Sequence, residues 1–402
     1  MSFHLQLARK FKPKVYFHSR ERYFPCTVEH YLTYVNMYEL QEGSSVPQKD
    51  DKVVSSDPLS LLFPDAVDGV YSKRQLTDYI ANSERNYMRP KNYIYKNKPN
   101  DELLELVDDK YETSFHGNPS LQETPYYILI HTDPSEADAY YISYIFFYAY
   151  NGAARLLFDI LKVEDHFCDI CHVTSRVKKV NGEYTLDNVY YSAHSGGLLY
   201  SADEIKTVNN NGINPVVYAA RRSHASYNEA GFYFRFGGFG NDETEERYQW
   251  FPNNVEIMAI EDVGQGKYQT YYSYLGNMGF KGEYPFIEGQ GDTSVGSIGT
   301  KRWSGNTGIP ETQQKEGNYI SVAVWYSLLI ITQLFAFLGL GIGMIKGVFY
   351  GWRYTGLVLL CLIIVYSMLL TDYEPLSAVL LLTTFFLFVM YLSKRLTLQN
   401  MC

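Results

Sequence analysis

Cysteine is scarce in this chain, with five in 402 residues. Cys361 lies in an apolar run and Cys402 is the last residue, so the polar part holds Cys26, Cys168 and Cys171. Three thiols make no disulfide framework, and a reducing compartment is expected for that part. No Asn-x-Ser/Thr sequon occurs, which fits the same compartment. The opening MSFHLQLARKFKPK has no continuous apolar core and does not read as a signal peptide. Also missing are a G-x-S-x-G elbow, a phosphate-loop lysine after Gly196-Gly197, and a second CxxC or HxxH pair. These absences argue against an α/β-hydrolase, a nucleotide phosphate loop and a structural zinc site.

Positive charge is in deficit too. Lys and Arg number 35 against 44 Asp and Glu, a net charge of −9. The segment from Tyr319 onward holds four bases and two acids, or +2, which leaves −11 on residues 1–318. An acidic body excludes nucleic acid as the main partner, because phosphate binding needs basic patches.

Tyrosine is abundant, with 38 residues in a chain that is 46% hydrophobic. Tyr rings favour strands and bury their bodies while keeping a polar tip. The strand signal is strong at Tyr126–His131 and Ala139–Tyr150 (AYYISYIFFYAY), the second reading as a strand buried on both faces. Further strands are expected at 14–17 (KVYF), Val173–Val180, Val189–Ala193, Pro215–Ala220, Phe232–Phe236 and Val255–Ile260. Asn151-Gly152 reads as a turn. Val28, Tyr31, Leu32, Val35 and Tyr38 recur at helical spacing, so a helix is expected over Thr27–Gln41 with Thr27 as its cap. Short helices are expected at Ser72–Asn82 and Asp101–Val107, and a capping box at Ser201–Glu204 opens another. The fold class is therefore mainly β: a β-sandwich-like domain with short helical insertions over residues 1–280. Residues 281–318 read as a Gly-rich linker.

Residues 319–402 read as a membrane domain with three helices, at about 319–345, 354–371 and 376–392. Each run is apolar and free of charge over a spanning length. Lys346, Arg353, Lys394 and Arg395 flank the spans on one side, and Lys301, Arg302 and Lys315 precede the first, so base counts are nearly even. A large N-terminal body without a leader favours the cytosolic side.

The residues richest in chemistry run from Asp165 to Val177, DHFCDICHVTSRV. His166, Asp169 and His172 lie here, and two further clusters carry His194 (AHSGG) and His224 (SHASY). Imidazoles beside a carboxylate suit a divalent cation, zinc or calcium, if the fold brings them together. The alternative is that they hydrogen-bond strand ends, since buried polar groups must be paired. Cys168-Asp-Ile-Cys171-His172 has the spacing of a c-type haem site, which needs a second axial ligand and an exporting compartment. On a strand, Cys168 and Cys171 point to opposite faces. Ser223-His224 and His194-Ser195 are nucleophile and base candidates, but neighbours on a strand also face apart, so neither pair is preassembled. The Arg221-Arg222 pair could touch anionic headgroups.

In order and spacing these stretches resemble the vacuolar protein sorting-associated protein 62 family, in particular its plant members. The resemblance runs through VYFHSRERYFPCTVEHYL (15–32), YAYNGAARL (148–156), HFCDICHVT (166–174), YYSAHSGG, PVVYAARRSHASY (215–227) and Gly240-Asn241-Asp242. It covers roughly residues 10–260; the three apolar runs are not part of the usual plant pattern. Where the family signature reads His-x-Gly-Asp-Trp-Glu-His, this chain has Cys168 for Gly, Ile170 for Trp and Cys171 for Glu. If that Glu is a ligand or an acid/base in relatives, Cys171 stands in its place here, and its thiolate would suit a softer metal. The signature is also similar to the heptapeptide of necrosis-inducing plant-cell toxins, β-sandwich proteins that hold a divalent cation and engage membrane sphingolipids. The resemblance implies a part in vacuolar sorting or membrane trafficking; with the three apolar runs, the chain is expected to be a membrane-anchored, non-catalytic protein integral to an endomembrane or vacuolar bilayer. A metal-dependent protein binding anionic or glycosylated lipid is the alternative, and a hydrolase the third reading.

Overall fold

The aromatic run from Ala139 forms a strand buried on both faces, and two cores are built against it. The computed structural model describes residues 2–42, 51–63, 85–91, 93–97, 102–106, 117, 121–152, 154–156, 161–163, 166–194, 196–233, 242–279 and 319–320. The chain opens with α1 (Phe3–Lys10), β1 (Lys14–Phe17), α2 (Val28–Thr33), β2 (Val35–Glu39), β3 (Lys52–Ser55) and α3 (Pro58–Leu62). Then come β4 (Asn86–Pro90), β5 (Tyr93–Asn97), β6 (Glu102–Leu106), β7 (Tyr126–Thr132), β8 (Ala139–Asn151), β9 (Ala154–Leu156) and β10 (Leu161–Val163). The central stretch holds β11 (His166–Val180), β12 (Glu183–Ala193), β13 (Gly196–Ser201), β14 (Val216–Ala219) and β15 (Ser226–Tyr227). Last are β16 (Gly231–Tyr233), β17 (Asp242–Thr244), β18 (Tyr248–Trp250), β19 (Val255–Ile260), β20 (Val263–Gly264), α4 (Gln269–Ser273) and β21 (Tyr319–Ile320).

The chain divides into two compact units. The first takes Met1–Ala154, Val163–Gly231 and Asp242–Gly317. In the second, the described residues are those of the β9–β10 ribbon and the antiparallel pairing of Phe232-Tyr233 with Tyr319-Ile320.

The first unit is mainly β. Seven strands pair in the order β13-β12-β11-β8-β7-β19-β20, antiparallel except for β7 with β19. A smaller sheet has the order β15-β14-β1-β18, with β1 and β14 parallel. One core lies between these sheets. Ile142, Tyr144, Phe146 and Tyr148 of β8 meet Val15, Phe17, Val217, Ala219 and Trp250 there, under Leu7, Ala8 and Phe11. Ile145, Phe147 and Ala149 of β8 point the other way. They pack against α2, α3, the sheet β3-β2-β4 and the tyrosines of α4. A strand with both faces covered needs no polar alternation, which is why β8 reads as a nearly continuous apolar run.

Several local expectations are corrected. The helix expected over Thr27–Gln41 stops at Thr33, and Val35–Glu39 becomes β2 between β3 and β4. Thr27 does cap the helix, accepting from the His30 N–H at 3.1 Å. Val35, Met37 and Tyr38 suit either period, and pairing on both edges decides for the strand. The helix expected at Asp101–Val107 is strand β6, paired with β5. The capping box at Ser201–Glu204 is formed, with Glu204 Oε2 accepting from Ser201 N–H at 2.9 Å, but it closes a turn and no helix. Ser72–Asn82 lies outside the described residues. So do the expected spans, except for Tyr319 and Ile320 at the start of the first, which form β21. No helix among the described residues is long and apolar enough to cross a membrane.

The AHSGG segment is a hairpin. Ala193 pairs with Gly196 and Ser192 with Gly197, so His194 leaves β12 at the turn and the glycines begin β13. His194 has φ +54°, as the first loop position of such a hairpin requires. Gly197 has φ +156°, and a Cβ there would stand 2.2 Å from the Tyr191 carbonyl oxygen and 2.6 Å from the Tyr190 hydroxyl. Gly197→Ala should cost about 1–3 kcal/mol by overpacking, seen as a lower urea midpoint. Gly182→Ala is the control, since nothing lies within 4 Å of its Cβ. At φ +88° it should cost about 1 kcal/mol. Equal costs would refute the steric account.

Candidate functional site

The turn between β14 and β15, Arg221-Arg222-Ser223-His224, is held at every residue by a different part of the chain. Arg221 donates its N–H to the Glu243 carbonyl oxygen at 2.9 Å. Arg222 donates its N–H to Glu21 Oε2 at 2.7 Å, and its own carbonyl accepts from Gly152 N–H at 3.1 Å. Ser223 Oγ donates to Asp242 Oδ1 at 2.6 Å. His224 stands 2.9 Å from Asp169 Oδ2 through Nδ1, and 2.9 Å from the Tyr23 carbonyl oxygen through Nε2. Arg222 and His224 have φ +69° and +55°, a conformation costly for residues with a Cβ. The surrounding bonds over-determine that strain.

His224 is completely buried, and Tyr148 stacks on it at 3.8 Å with the rings 1° from parallel. A carboxylate and a carbonyl oxygen only accept, so both His224 ring nitrogens are placed to donate, one of them to the Asp169 carboxylate. Burial pushes the Asp169 carboxyl up. The hydrogen bond and charge of His224, the charge of His166 and the Cys171 thiol outweigh this and hold it below its ordinary value.

Asp242 is the second focus. It accepts from His194 Nε2, Ser223 Oγ and Tyr227 Oη, each at 2.6 Å. His18 and Glu243 form the third, with His18 Nε2 3.2 Å from Glu243 Oε1. Burial also raises the Glu243 carboxyl, but His18, Arg20 and Arg221 hold it below the usual range.

Sequence alternation places Asp169 and Cys171 on the face toward the small sheet, with the Cys171 thiol 3.6 Å from Asp169 Oδ2. Cys168 belongs to the opposite core and Cys171 to the inter-sheet core, as their spacing predicts. Cys168 has φ +59°, and His166 Nδ1 donates to its carbonyl oxygen at 2.8 Å, closing the kink. Only glycine adopts that conformation without strain. The family's Gly stands at this position, and here a buried Cys occupies it.

Of the five expected site residues, Asp169 and His224 touch, and His166 lies within electrostatic reach of Asp169. His194 joins the group through Asp242 and Ser223. His172 does not. Alternation turns it to the other face, where its ring lies 5.6 Å from Tyr190. Among the described residues no three His, Cys, Asp or Glu side chains are arranged to hold an ion. The acids and imidazoles pair with one another. Ser223 faces a carboxylate instead of an imidazole, so the contacts run Ser–Asp–His where a hydrolase needs Ser–His–Asp. Ser195 lies outside the described residues. Beside Tyr227 a cavity of about 10 Å³ is lined by Tyr191, Gly197, Tyr200 and Ser226, far below the size usual for ligand sites.

The motif reading missed His18, Glu21, Tyr148, Asp242 and Glu243 as members of the network. His18 and Glu21 fall in the quoted HSRE stretch, three residues apart at the end of β1. A histidine and an acid just past a buried strand end were the available signal.

Residues 96–246 match the profile of the family described as vacuolar protein sorting-associated protein 62. That range contains all five expected site residues, and His18 and Glu21 fall before it. No curated protein and no solved structure matches the chain.

Proposed function

We propose that this chain is a membrane-anchored, non-catalytic protein of vacuolar protein sorting or membrane trafficking. The family match over residues 96–246 supports a sorting-related role. The observation that carries the non-catalytic reading is the self-satisfied state of the network. His224 donates from both nitrogens, and Ser223 points its hydroxyl at a carboxylate. A serine nucleophile is activated by an imidazole with a free lone pair, whereas Ser223 meets a weakly basic carboxylate that already accepts from His194 and Tyr227. The network instead suits a rigid frame that fixes the β14–β15 turn for recognition. The uncharged run from Tyr319 to Ile345 and the two that follow support anchoring in an endomembrane or vacuolar bilayer, with the N-terminal body on the cytosolic side.

Two measurements test this. The full chain should stay with membranes through an alkaline carbonate wash, and protease added to intact vesicles should digest the N-terminal body. Cells lacking the chain should secrete a vacuolar hydrolase that they normally retain. Release by carbonate would remove the anchor, and unaltered hydrolase retention would remove the sorting role.

A further inference from the structure

Helix α1 and the β11–β12 hairpin together present an aromatic cluster with a cationic rim. Phe3 is 43% exposed, and its ring lies 5.6 Å from both Tyr140 and Tyr184. His4 lies 6.1 Å from Tyr140, and Tyr140 lies 5.9 Å from Tyr184. Lys179 hangs over the Tyr184 ring at 6.0 Å, and Lys10 donates to the Tyr184 carbonyl oxygen at 2.9 Å. The hairpin continues past the start of β8, which pairs with Lys178 through Ala139. Beyond that point it exposes Val180, at 42%.

The charges here are unlike those of the acidic body. Lys10 bonds a carbonyl and sits over Phe11, and Lys12 bonds the Pro252 carbonyl oxygen and sits over Phe251. Neither has a carboxylate at ion-pair distance among the described residues. Lys179 has Asp138 at 3.8 Å, with both side chains largely in water, and Glu183 stands at the same hairpin tip. Elsewhere on the sheet face the pairing is tight. Arg176 lies within 2.7 Å of Asp133 and 2.5 Å of Glu136, and also bonds Asp187. Lysines bonded to carbonyls and rings keep their charge available to an outside anion.

We propose that Phe3, Tyr140 and Tyr184, with Lys10 and Lys179 at their rim, form a peripheral contact with an anionic phospholipid surface. Phe3 enters the headgroup boundary, the Tyr rings lie at the level where one end is apolar and the other wet, and the lysines meet lipid phosphates and carboxylates. The surface is separate from the polar network. It rests on the trafficking reading only in needing a bilayer nearby.

Lysine footprinting tests it. The full chain is added to, or reconstituted in, vesicles of phosphatidylcholine alone or with phosphatidylserine, and a water-soluble amine reagent is applied. Labelling of Lys10 and Lys179 should fall about fivefold on the anionic vesicles, as expected for basic groups held at a charged surface. Exposed Lys52 should be unaffected. The protection should vanish in about 1 M salt, where charges are screened beyond roughly 3 Å. Phe3→Ser should also abolish it, with far-UV circular dichroism unchanged. Equal labelling on both membranes, or protection that survives salt and that variant, overturns the proposal. A chain released by carbonate yet protected here would sink the anchor and leave this surface standing; the reverse result would do the opposite.

Discussion

Asp169→Asn should lower stability by about 3–5 kcal/mol, the cost of breaking a buried pair by removing one charge. His224 has no exposed surface, and among the described residues the next carboxylate is Glu21, with Oε1 at 3.9 Å. An Asn at 169 offers the buried ring only a neutral amide, so the charge-assisted bond is replaced by a weaker one. The β14–β15 turn holds Arg222 and His224 at positive φ, so loosening one end releases strain along the whole turn. The double variant Asp169→Ala with His224→Phe should recover most of the loss. Apolar replacement of both partners is often neutral, and a Phe ring keeps the stack on Tyr148. Urea midpoints of the full chain, followed by far-UV circular dichroism, read both effects. An Asp169→Asn protein as stable as the parent would refute the charged pair.

The pH dependence has a definite sign. Asp169 and Glu243 both have folded values below their ordinary ones, because their cationic partners outweigh burial. A carboxylate depressed in the folded state contributes stability that is complete above its unfolded value, roughly 4. That contribution is lost as pH falls through the lower folded value. Stability should therefore hold from neutrality to about pH 5 and drop below about pH 4. Asp169→Asn should flatten its share of the drop.

Trp250→Ala should cost about 3–5 kcal/mol for a different reason, the loss of a large aromatic side chain from a packed core. Trp250 is fully buried on β18, with Tyr126 at 4.4 Å, Phe146 at 5.3 Å and Phe17 at 6.2 Å between ring centroids. Its Nε1–H donates to the Thr124 carbonyl oxygen at 3.1 Å, and Tyr126 Oη donates back to the Trp250 carbonyl at 2.8 Å. The side chain thus ties the edge of the small sheet to β7 of the large one. Trp250→Phe should cost less than Trp250→Ala, since it keeps ring contacts and leaves only the Thr124 carbonyl without its donor. A loss below about 1 kcal/mol in Trp250→Ala would mean that the two sheets are not coupled through this residue.

Much of this was legible before any coordinates. The strands at 126–131 and 139–150 stand where their aromatic and β-branched residues put them, with burial on both faces. The opposite orientations of Cys168 and Cys171 follow from a period of two. The expected helices at Thr27–Gln41 and Asp101–Val107 failed in a common way. Their residues tolerate either backbone, and a neighbouring strand supplied the hydrogen bonds that decide between them.

Local pattern determined the extended segments of the central sheet, because side-chain alternation and turn chemistry act over a few residues. It could list the histidines and acids but not match them. His224 meets Asp169 across 55 positions of chain, and Glu21 meets Arg222 across 201. Those partners depend on sheet register, on the left-handed turn at Cys168 and on the parallel placement of β1 beside β14. Such choices are settled by burying charge and apolar surface together, a balance taken over the whole body that no short window contains.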